Sequence, residues 1–438
     1  MAPVLEGLMS KPNVKVTLVH SGQHYDKEMS ACFFRELDLP EPDVNLNIGS
    51  GSHAQQTAQM LLGYEKQISR FGPTLVLAQG DTNTVLAAGL ASIKLKVSFG
   101  HVEAGLRSFD RRMPEETNRT IADHCSQLCF APTQRSAQNL MREGIPPDRV
   151  FITGNTIVDV CRRQLQRARS RSRILEHLDL TRRSKFVLVT AHREENVGDP
   201  HRLRNIVLAL KRLREFPIVF PIHPRTSKML RAYGLLRTLR SCEHVLPIRP
   251  LGYWDFLRLL ESCYVVLTDS GGVQEEALTV GTPCLTLRYN TERPETVEAG
   301  GNVLVGTEPS IIVHEVKRLS ETRNLNNPLR VVQNPLGDGK SGRRIARICL
   351  DRSPSELRIV SPSYMKDGSA FVRLIRVSRE RKIGWLQRRQ PTATITQVYD
   401  MDGGPIFPHS SLYLRRGWHI QVFGEPSELV RFLRYLAA

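Results

Sequence analysis

The stretch Tyr264-Val-Val-Leu-Thr-Asp-Ser-Gly-Gly-Val-Gln-Glu-Glu-Ala277 decides the fold class of this chain. It begins with a short apolar run that is typical of a buried strand, turns at Ser270-Gly-Gly272, and continues at once in a helical pattern. Glycines lack a Cβ, so the N–H groups at the start of a helix can approach a phosphate closely. The stretch therefore predicts a strand, a tight turn and a helix, with an anion site at the turn.

The same alternation of short apolar runs and longer amphipathic stretches extends from Val14 to Ile152 and again from Phe186 to Val305. This rhythm is typical of parallel βαβ units. We predict an α/β protein with two Rossmann-like, doubly wound domains, residues 1–160 and 161–352, and an active-site cleft between them. From residue 353 short strand-like runs replace the long helices, which predicts a separate small α+β domain at 353–438.

The charge of the chain points to an anionic partner. Its 438 residues include 61 Lys and Arg against 44 Asp and Glu, which gives a formal net charge of +17. The basic residues are spread along the whole chain, without the aromatic-and-basic pattern or the reading helix of a nucleic-acid-binding protein. We therefore expect no nucleic-acid partner.

Composition also sets expectations for location and cofactors. No stretch approaches the ~20 apolar residues of a membrane-spanning helix, and the first residues lack the basic and apolar regions of a signal peptide. The eight cysteines are scattered, without the spacing of a zinc site. We expect a cytoplasmic protein with reduced thiols, no metal or other cofactor, and no membrane contact.

Carboxylates follow the predicted strands of the first domain. Asp81 comes just after one strand, Glu103 after the next, and Glu115 opens a helix at Pro114-Glu-Glu-Thr-Asn-Arg119. Because the carboxyl ends of parallel strands meet at one edge of the sheet, we expect these three side chains to converge there, without an obvious run of salt-bridge partners. Each alone is typical of a helix cap or an ion pair. Together they predict general acid–base chemistry.

Groups suited to an anion follow the strands of the second domain. The cationic ones are His192, Arg193, His223 and Arg293. With the Ser270-Gly-Gly272 turn they predict a site for a phosphorylated ligand, in which Arg293 would meet the phosphate charge. Glu276 lies one helical turn further on, where a carboxylate commonly holds a ribose diol.

At these residues the chain resembles the non-hydrolysing UDP-N-acetylglucosamine 2-epimerases, over roughly residues 1–351. The motifs are, in order, Gly80-Asp-Thr82, His101-Val-Glu-Ala-Gly-Leu-Arg107, Pro114-Glu-Glu116 with Asn118-Arg119, His192-Arg-Glu-Glu-Asn196, Asp269-Ser-Gly-Gly272 with Gln274-Glu-Glu276, and Thr291-Glu-Arg-Pro-Glu295. The resemblance implies the two-domain fold that many nucleotide-sugar glycosyltransferases share, the glycosyltransferase-B fold. This number of motifs in one order makes the resemblance specific.

The resemblance also implies roles for individual residues. Asp81, Glu103, Glu115 and His192 match the catalytic positions of the family. Arg119, His223, Ser270, Gly271, Gly272, Glu276 and Arg293 match positions that bind the nucleotide-sugar, and we add Arg193 as a second cation for the diphosphate. Gln23 and His24 are candidate ligands, since their segment lies close to bound nucleotide-sugar in that family.

The implied reaction interconverts UDP-GlcNAc and UDP-ManNAc for surface polysaccharide or glycoprotein precursors. The C–H bond at carbon 2 is barely acidic, so the family first expels UDP to leave a glycal, then adds UDP back after protonation of carbon 2 on the other face. Which carboxylate acts as acid and which as base stays open. The alternatives are a hydrolysing epimerase that releases free sugar, or a nucleotide-sugar-binding regulator with impaired catalysis. We expect a homodimer that takes a UDP-sugar as substrate.

Two departures from the family pattern bear on these expectations. Family members begin with an apolar strand and a Gly-Thr-Arg-Pro-Glu loop, whereas this sequence begins at Met1-Ala-Pro3, so we expect the first domain to lack its central strand. Either the true start lies upstream or the gene is a degraded or repurposed copy, and the intact motifs favour the upstream start.

The tail beyond about residue 356 resembles the C-terminal domains of potassium-conductance regulators, which implies a small effector. An unrelated packing or oligomerisation domain is the alternative.

Overall fold

A computed structural model describes residues 1–22, 34–180, 185–322, 334–351, 371–377, 380–389, 393–401, 405–406, 408–424, 431–432 and 434–436. The chain divides into two compact units. The first unit is Met1–Gln164 with Leu336–Asp367, and the second unit is Leu165–Pro335 with Gly368–Ala438. The three-domain division at residues 160 and 352 stays a prediction.

The first unit contains a parallel sheet in the order β3-β4-β5-β6. Its strands are β3 Leu75–Gln79, β4 Ser98–Val102, β5 Leu128–Ala131 and β6 Val150–Ile152. A separate parallel pair joins β1 Val19–His20 to β2 Val44–Asn45. The strand predicted from Val14 is therefore shorter than expected. It begins only at Val19, because its partner β2 offers two residues for pairing.

Helices cover the first sheet and one of them comes from far along the chain. They are Ala2–Met9, His53–Phe71, Asn83–Lys94, Pro114–Cys125, Gln134–Arg142 and Ser341–Asp351, with a 3₁₀ turn at Pro147–Arg149 and the helix Thr156–Arg171 leading into the second unit. Ser341–Asp351 packs against Ala2–Met9 at Gly7, where a side chain would lie 2.8 Å from the Cβ of Ala346. The chain therefore returns to the first unit at Leu336 before it enters the second unit again at Gly368.

The second unit contains a parallel sheet in the order β12-β11-β10-β7-β8-β9. Its strands are β7 Val187–Thr190, β8 Ile218–Pro221, β9 Val245–Ile248, β10 Val265–Thr268, β11 Cys284–Thr286 and β12 Asn302–Leu304. Counted from β7, this is the Rossmann order 3-2-1-4-5-6, as the sequence rhythm predicted. The strands read as continuous apolar runs because helices cover both faces of a parallel sheet.

The helices of the second unit follow its strands in alternation, as in other doubly wound sheets. They are Ile174–His177, Glu194–Val197, Pro200–Arg212, Pro224–Ala232, Leu235–Arg240, Tyr253–Ser262, Gly271–Val280, Pro294–Glu298 and Pro309–Thr322. Within the part of the chain that the structure describes, no helix combines the length and the apolar composition that crossing a bilayer requires.

The tail carries an antiparallel sheet in the order β13-β18-β15-β16, with β14 paired to β17. The strands are β13 Phe371–Arg376, β14 Arg381–Lys382, β15 Thr394–Tyr399, β16 Pro405–Ile406, β17 Tyr413–Leu414 and β18 His419–Gly424, and the helix is Ile383–Arg389. Tyr399 at the end of β15 is fully buried in the same apolar cluster as the core of the second unit. The tail is therefore anchored to the second unit by an aromatic side chain.

Candidate active site

The switch point of the second unit lies between β7 and β10, the neighbouring strands from which the chain proceeds in opposite directions across the sheet. Ligands of open parallel sheets bind beyond the carboxyl ends of the strands at such a point. His192 and Arg193 follow β7, and the Ser270-Gly-Gly272 turn follows β10. The fold therefore brings together these two groups of predicted residues.

Asp269 holds the segment after β7 against the segment after β10. Its buried carboxylate accepts hydrogen bonds from the backbone N–H of His192, 3.0 Å from each oxygen, and from that of Arg193 at 3.1 Å. The Asn196 amide donates to the same carboxylate at 3.1 Å. One side chain thus satisfies several donors that burial would otherwise leave without partners, and it sets the position of the His192 backbone. Asp269 lies within one of the family motifs, but the sequence alone indicated no role for it.

The helix Gly271–Val280 starts at Ser270, whose side chain does not cap it. The positive end of a helix favours an anion, and the anion site at this turn stays a prediction. The structure adds a second reason for glycine at this turn. A Cβ at Gly271 would lie 2.7 Å from Oε1 of Glu292 and 2.8 Å from Nη1 of Arg293, so a side chain there would displace these two buried groups from the helix start.

Arg293 is held beside that helix start by two carboxylates. Its Nε lies 3.0 Å from Oε1 of Glu275, and its Nη1 lies 2.7 Å from Oε1 of Glu292. The other oxygen of Glu292 contacts Nη1 of Arg288 at 2.7 Å, and Nε of Arg288 lies 3.0 Å from Glu195. The guanidinium of Arg293 is therefore oriented in advance by buried ion pairs, which also compensate part of its charge.

Glu276 and His192 have shifted pKa values. Burial raises the pKa of Glu276 to about 7, and the Tyr253 hydroxyl opposes part of that rise. Burial lowers the pKa of His192, against the opposing charge of Asp269. The rings of His192 and His223 lie 5.5 Å apart between centroids, so these two predicted residues are neighbours. A neutral imidazole can accept a proton at one ring nitrogen and donate a hydrogen bond from the other.

Asp81 of the first unit lies in a turn that follows β3. The turn passes through Gly80 at φ +88°. Oδ2 of Asp81 lies 2.5 Å from Nη2 of Arg119, and Nη1 of the same buried guanidinium lies 2.7 Å from Oε2 of Glu116. Asp81 therefore has a salt-bridge partner, although the sequence shows no obvious run of such partners for the three carboxylates. The helix Pro114–Cys125 brings Arg119 to it, so this arginine contacts carboxylates of its own unit.

Glu103 lies beside the same turn with its backbone in the left-handed region, at φ +73°. Its Oε1 accepts a hydrogen bond of 2.8 Å from the amide of Gln79, and a Cβ at Gly80 would lie 3.9 Å from its Oε2. Such a backbone costs a residue other than glycine on the order of 1–3 kcal/mol and is common at functional sites. Two of the three predicted carboxylates, Asp81 and Glu103, thus flank one turn.

The third predicted carboxylate, Glu115, is half-buried in the first turn of the helix Pro114–Cys125. Its neighbour Glu116 is buried and accepts hydrogen bonds from the N–H and hydroxyl of Ser108, at 3.0 and 2.8 Å, and from the N–H of Phe109 at 2.9 Å. Glu116 therefore ties the loop after β4 to this helix. No role was predicted for Glu116, although its place at a helix start after a serine-containing loop is a signal for such a contact.

Comparison with known proteins shows the family to which the chain belongs. The sequence profile of the UDP-N-acetylglucosamine 2-epimerases matches residues 6–350. The UDP-N-acetylglucosamine 2-epimerase of Methanococcus maripaludis is 45% identical over 80% of this chain and 94% of its own length. The chain belongs to the UDP-N-acetylglucosamine 2-epimerase family. Its family membership and α/β fold were both predicted from the motifs and are confirmed.

A solved structure of this epimerase family covers the same part of the chain. The crystal structure of Methanocaldococcus jannaschii UDP-GlcNAc 2-epimerase in complex with UDP-GlcNAc and UDP is 45% identical, has a TM-score of 0.74, and is matched over 80% of this chain and 95% of its own. A Pseudomonas aeruginosa relative, UDP-2,3-diacetamido-2,3-dideoxy-D-glucuronate 2-epimerase, is 39% identical over 78% of this chain and 93% of its own length. The family therefore includes named members that act on more than one UDP-sugar.

The residue roles implied by the epimerase resemblance stay predictions. Gln23 and His24 lie outside the described residues. The family profile ends at residue 350, so the tail lies beyond it and the likeness of the tail to potassium-conductance regulators also stays a prediction.

Proposed function

We propose that this protein is a non-hydrolysing UDP-N-acetylglucosamine 2-epimerase, which interconverts UDP-GlcNAc and UDP-ManNAc. The observation that carries the proposal is the 45% identity, across 95% of the relative's chain, to an epimerase whose crystal structure holds UDP-GlcNAc and UDP. The geometry of both units supports the same reading.

The residues of the second unit suit the elimination of UDP. Breaking the bond between carbon 1 and the diphosphate oxygen leaves a diphosphate whose charge must be stabilised. The Ser270-Gly-Gly272 helix start and the oriented guanidinium of Arg293 supply preorganised positive potential for it. The backbone of His192 is fixed by Asp269 at the neighbouring strand end, and the lowered pKa keeps its imidazole neutral near pH 7, so the ring can donate a hydrogen bond to the leaving diphosphate.

The residues of the first unit suit the proton transfers at carbon 2. Elimination takes the proton from carbon 2 as the C–O bond breaks, and the reverse step returns a proton to the opposite face before UDP adds at carbon 1. Two carboxylates in different surroundings can divide these tasks. Asp81 is paired with the guanidinium of Arg119, whereas Glu103 accepts a hydrogen bond from the amide of Gln79.

The test is incubation of the purified protein with UDP-GlcNAc in D2O, followed by NMR. We expect UDP-ManNAc with deuterium at carbon 2 and no free sugar. Release of ManNAc and UDP would show a hydrolysing epimerase instead, and tight UDP binding without turnover would show a regulator. A parallel incubation with UDP-2,3-diacetamido-2,3-dideoxy-D-glucuronate, the sugar in the name of the Pseudomonas relative, shows which of the two UDP-sugars this protein epimerises.

Glu276 provides a pH-dependent test of the binding half of the proposal. Burial raises its pKa to about 7, and we propose that its ionised form accepts hydrogen bonds from the ribose hydroxyls of UDP. The ionised fraction then rises about tenfold between about pH 6 and pH 8, so the affinity for UDP should rise by up to about tenfold over that range and level off above it. Calorimetric titration at several pH values measures this.

Glu276→Gln is the matched control for that titration. The diphosphate of UDP titrates in the same way with either protein. The difference between the two pH profiles of affinity therefore reports the contribution of Glu276 alone. We expect weaker UDP binding by the variant at pH 8 and a smaller rise between pH 6 and pH 8. Identical profiles would show that Glu276 does not contact the ligand.

Burial of a carboxylate with a raised pKa also disfavours the folded state as pH rises from about 4.5 through about 7, so the variant should lose less stability over that range than the wild type.

A further inference from the structure

His101 forms a buried network that lies behind the turn of Asp81. The side chain is fully buried. Its Nδ1 lies 2.6 Å from Oδ1 of Asp123, and its Nε2 lies 2.7 Å from the carbonyl oxygen of Gly80. The Gly80 carbonyl belongs to the peptide that joins Gly80 to Asp81, so one imidazole bridges the helix Pro114–Cys125 and the turn that carries a predicted catalytic carboxylate.

Both partners of the His101 ring are acceptors. A backbone carbonyl has no proton to give, and Asp123 already accepts hydrogen bonds from the N–H of Gly105 at 3.1 Å and from Nη2 of Arg107 at 2.7 Å. Burial alone would raise the pKa of Asp123, but Arg107 and His101 together lower it. Both ring nitrogens must therefore donate, which requires the doubly protonated imidazolium.

The surroundings of His101 support that charge. Burial alone would lower its pKa, but Asp123 and the Gly80 carbonyl raise it, and Arg107 opposes only part of the rise. Arg107 is itself balanced by Glu143, whose two oxygens lie 2.8 and 2.5 Å from its nitrogens. The charges of this network thus alternate in sign, from His101 through Asp123 and Arg107 to the half-buried Glu143.

The same network fixes the segment of Glu103. His101 precedes Glu103 by two residues and Gly105 follows it by two, and Asp123 contacts both. Gly105 cannot be replaced without displacement, because a Cβ there would meet the backbone carbonyl of Ser136. The left-handed conformation of Glu103 is therefore enforced from both sides, while the other ring nitrogen of His101 holds the neighbouring turn.

We propose that His101 is a positioning residue for the proposed epimerase reaction, which holds the Gly80 carbonyl and the Glu103 segment so that the carboxylates of Asp81 and Glu103 keep their separation. The inference rests on the proposed function, because the separation of the two carboxylates affects the rate only if they transfer protons to and from the sugar. It requires no contact between His101 and substrate. A displacement of about 1 Å at a reacting group can lower a rate about 100-fold, so such positioning has a measurable effect.

Two substitutions separate positioning from a general loss of stability. In His101→Gln the amide nitrogen can occupy the place of Nε2 and still donate to the Gly80 carbonyl, whereas in His101→Asn it can occupy only the place of Nδ1. Both variants lose the positive charge beside Asp123 and remove a buried ring. Similar unfolding midpoints are therefore expected for the two, and a difference in kcat between them reports on the Gly80 contact.

We expect His101→Asn to lower kcat about 100-fold, and His101→Gln to lower it less than about tenfold, with KM and the affinity for UDP little changed in both. The control is His244 of the second unit, whose Nε2 lies 2.9 Å from the carbonyl of Leu210. His244→Asn and His244→Gln should both retain the wild-type kcat. Equal losses of kcat in the two His101 variants, or losses that only follow their unfolding midpoints, would overturn the proposal.

Crystal structures of the two His101 variants provide a readout that does not depend on activity. In His101→Asn the turn at Gly80 should shift and lengthen the contact between Asp81 and Arg119, which is 2.5 Å in the wild type, and in His101→Gln it should stay in place. If the wild type fails to epimerise UDP-GlcNAc, the proposed function fails, yet these structures still decide whether His101 positions the turn. An unchanged turn in His101→Asn would refute the positioning role.

Discussion

Replacing Glu103 by Gln is expected to lower kcat about a thousandfold and to leave the affinity for UDP almost unchanged. Removing a general acid or base typically costs about 10²–10⁴ in rate. The amide has the shape of the carboxylate, and its oxygen can still accept the hydrogen bond from Gln79 that the Oε1 of Glu103 now accepts at 2.8 Å. The fold should therefore survive while the proton-transfer group is lost. The measurement is the rate of UDP-ManNAc formation, together with deuterium uptake at carbon 2.

A matched control for this variant is Glu65→Gln, because Glu65 is an exposed glutamate on the helix His53–Phe71 of the same unit. We expect wild-type kcat for the control. If Glu103→Gln kept more than about a tenth of the wild-type kcat, Glu103 would not be one of the groups that move the proton. Loss of deuterium uptake without loss of UDP binding would place the defect at the proton transfer rather than at substrate capture.

Asp269→Ala is expected to lower the free energy of unfolding by about 3–5 kcal/mol and to weaken UDP binding strongly. The substitution leaves the N–H groups of His192 and Arg193 without their buried acceptor, and each such loss costs about 1–3 kcal/mol. It also releases the Asn196 amide from one of its two acceptors. The segment after β7 then loses its link to the segment after β10. Urea unfolding and calorimetric titration with UDP measure the two effects.

Asp199→Ala separates this effect from the loss of an ordinary aspartate in the same unit. Asp199 caps the helix Pro200–Arg212 through the N–H groups of His201 and Arg202, at 2.8 and 3.2 Å. Losing a cap of this kind costs about 1 kcal/mol and should not change the affinity for UDP. For Asp269→Asn, the free energy of unfolding and the affinity for UDP should lie between those of the wild type and Asp269→Ala, since the amide keeps an acceptor oxygen but loses the charge. Wild-type UDP affinity in Asp269→Ala would contradict the role that we assign to it.

The sequence was sufficient for the strands and for the family because both depend on local patterns. Buried parallel strands appear as continuous apolar runs, as β5 Leu128–Ala131 and β6 Val150–Ile152 do within the alternation predicted from Val14 to Ile152. The glycine turn after β10 was also predictable, since a strand that ends in Ser270-Gly-Gly272 leaves few conformations for the chain. The short strands β2, β14, β16 and β17 were missed, because two-residue strands are defined by their partners and have no periodicity of their own.

The partners of the site residues could not be predicted in the same way. The contact of Asp81 with Arg119 joins residues 38 apart in sequence, and that of Asp269 with His192 joins residues 77 apart. No local pattern states which of several arginines or carboxylates will meet across such a distance. The interpretation of Arg119 as a ligand of the nucleotide-sugar, which came from the resemblance, did not include its buried contacts with Asp81 and Glu116.

The amino-acid sequence by itself determined the α/β class, the family and the identity of the chemical groups, because apolar periodicity, glycine turns and the order of motifs are all local properties of the chain. Only the tertiary structure decided which of those groups hold one another. The parallel sheets bring the ends of distant strands together, and burial then requires that each polar group find a partner. That requirement gave Asp269, Glu116 and His101 their roles, and none of the three roles was visible in the sequence.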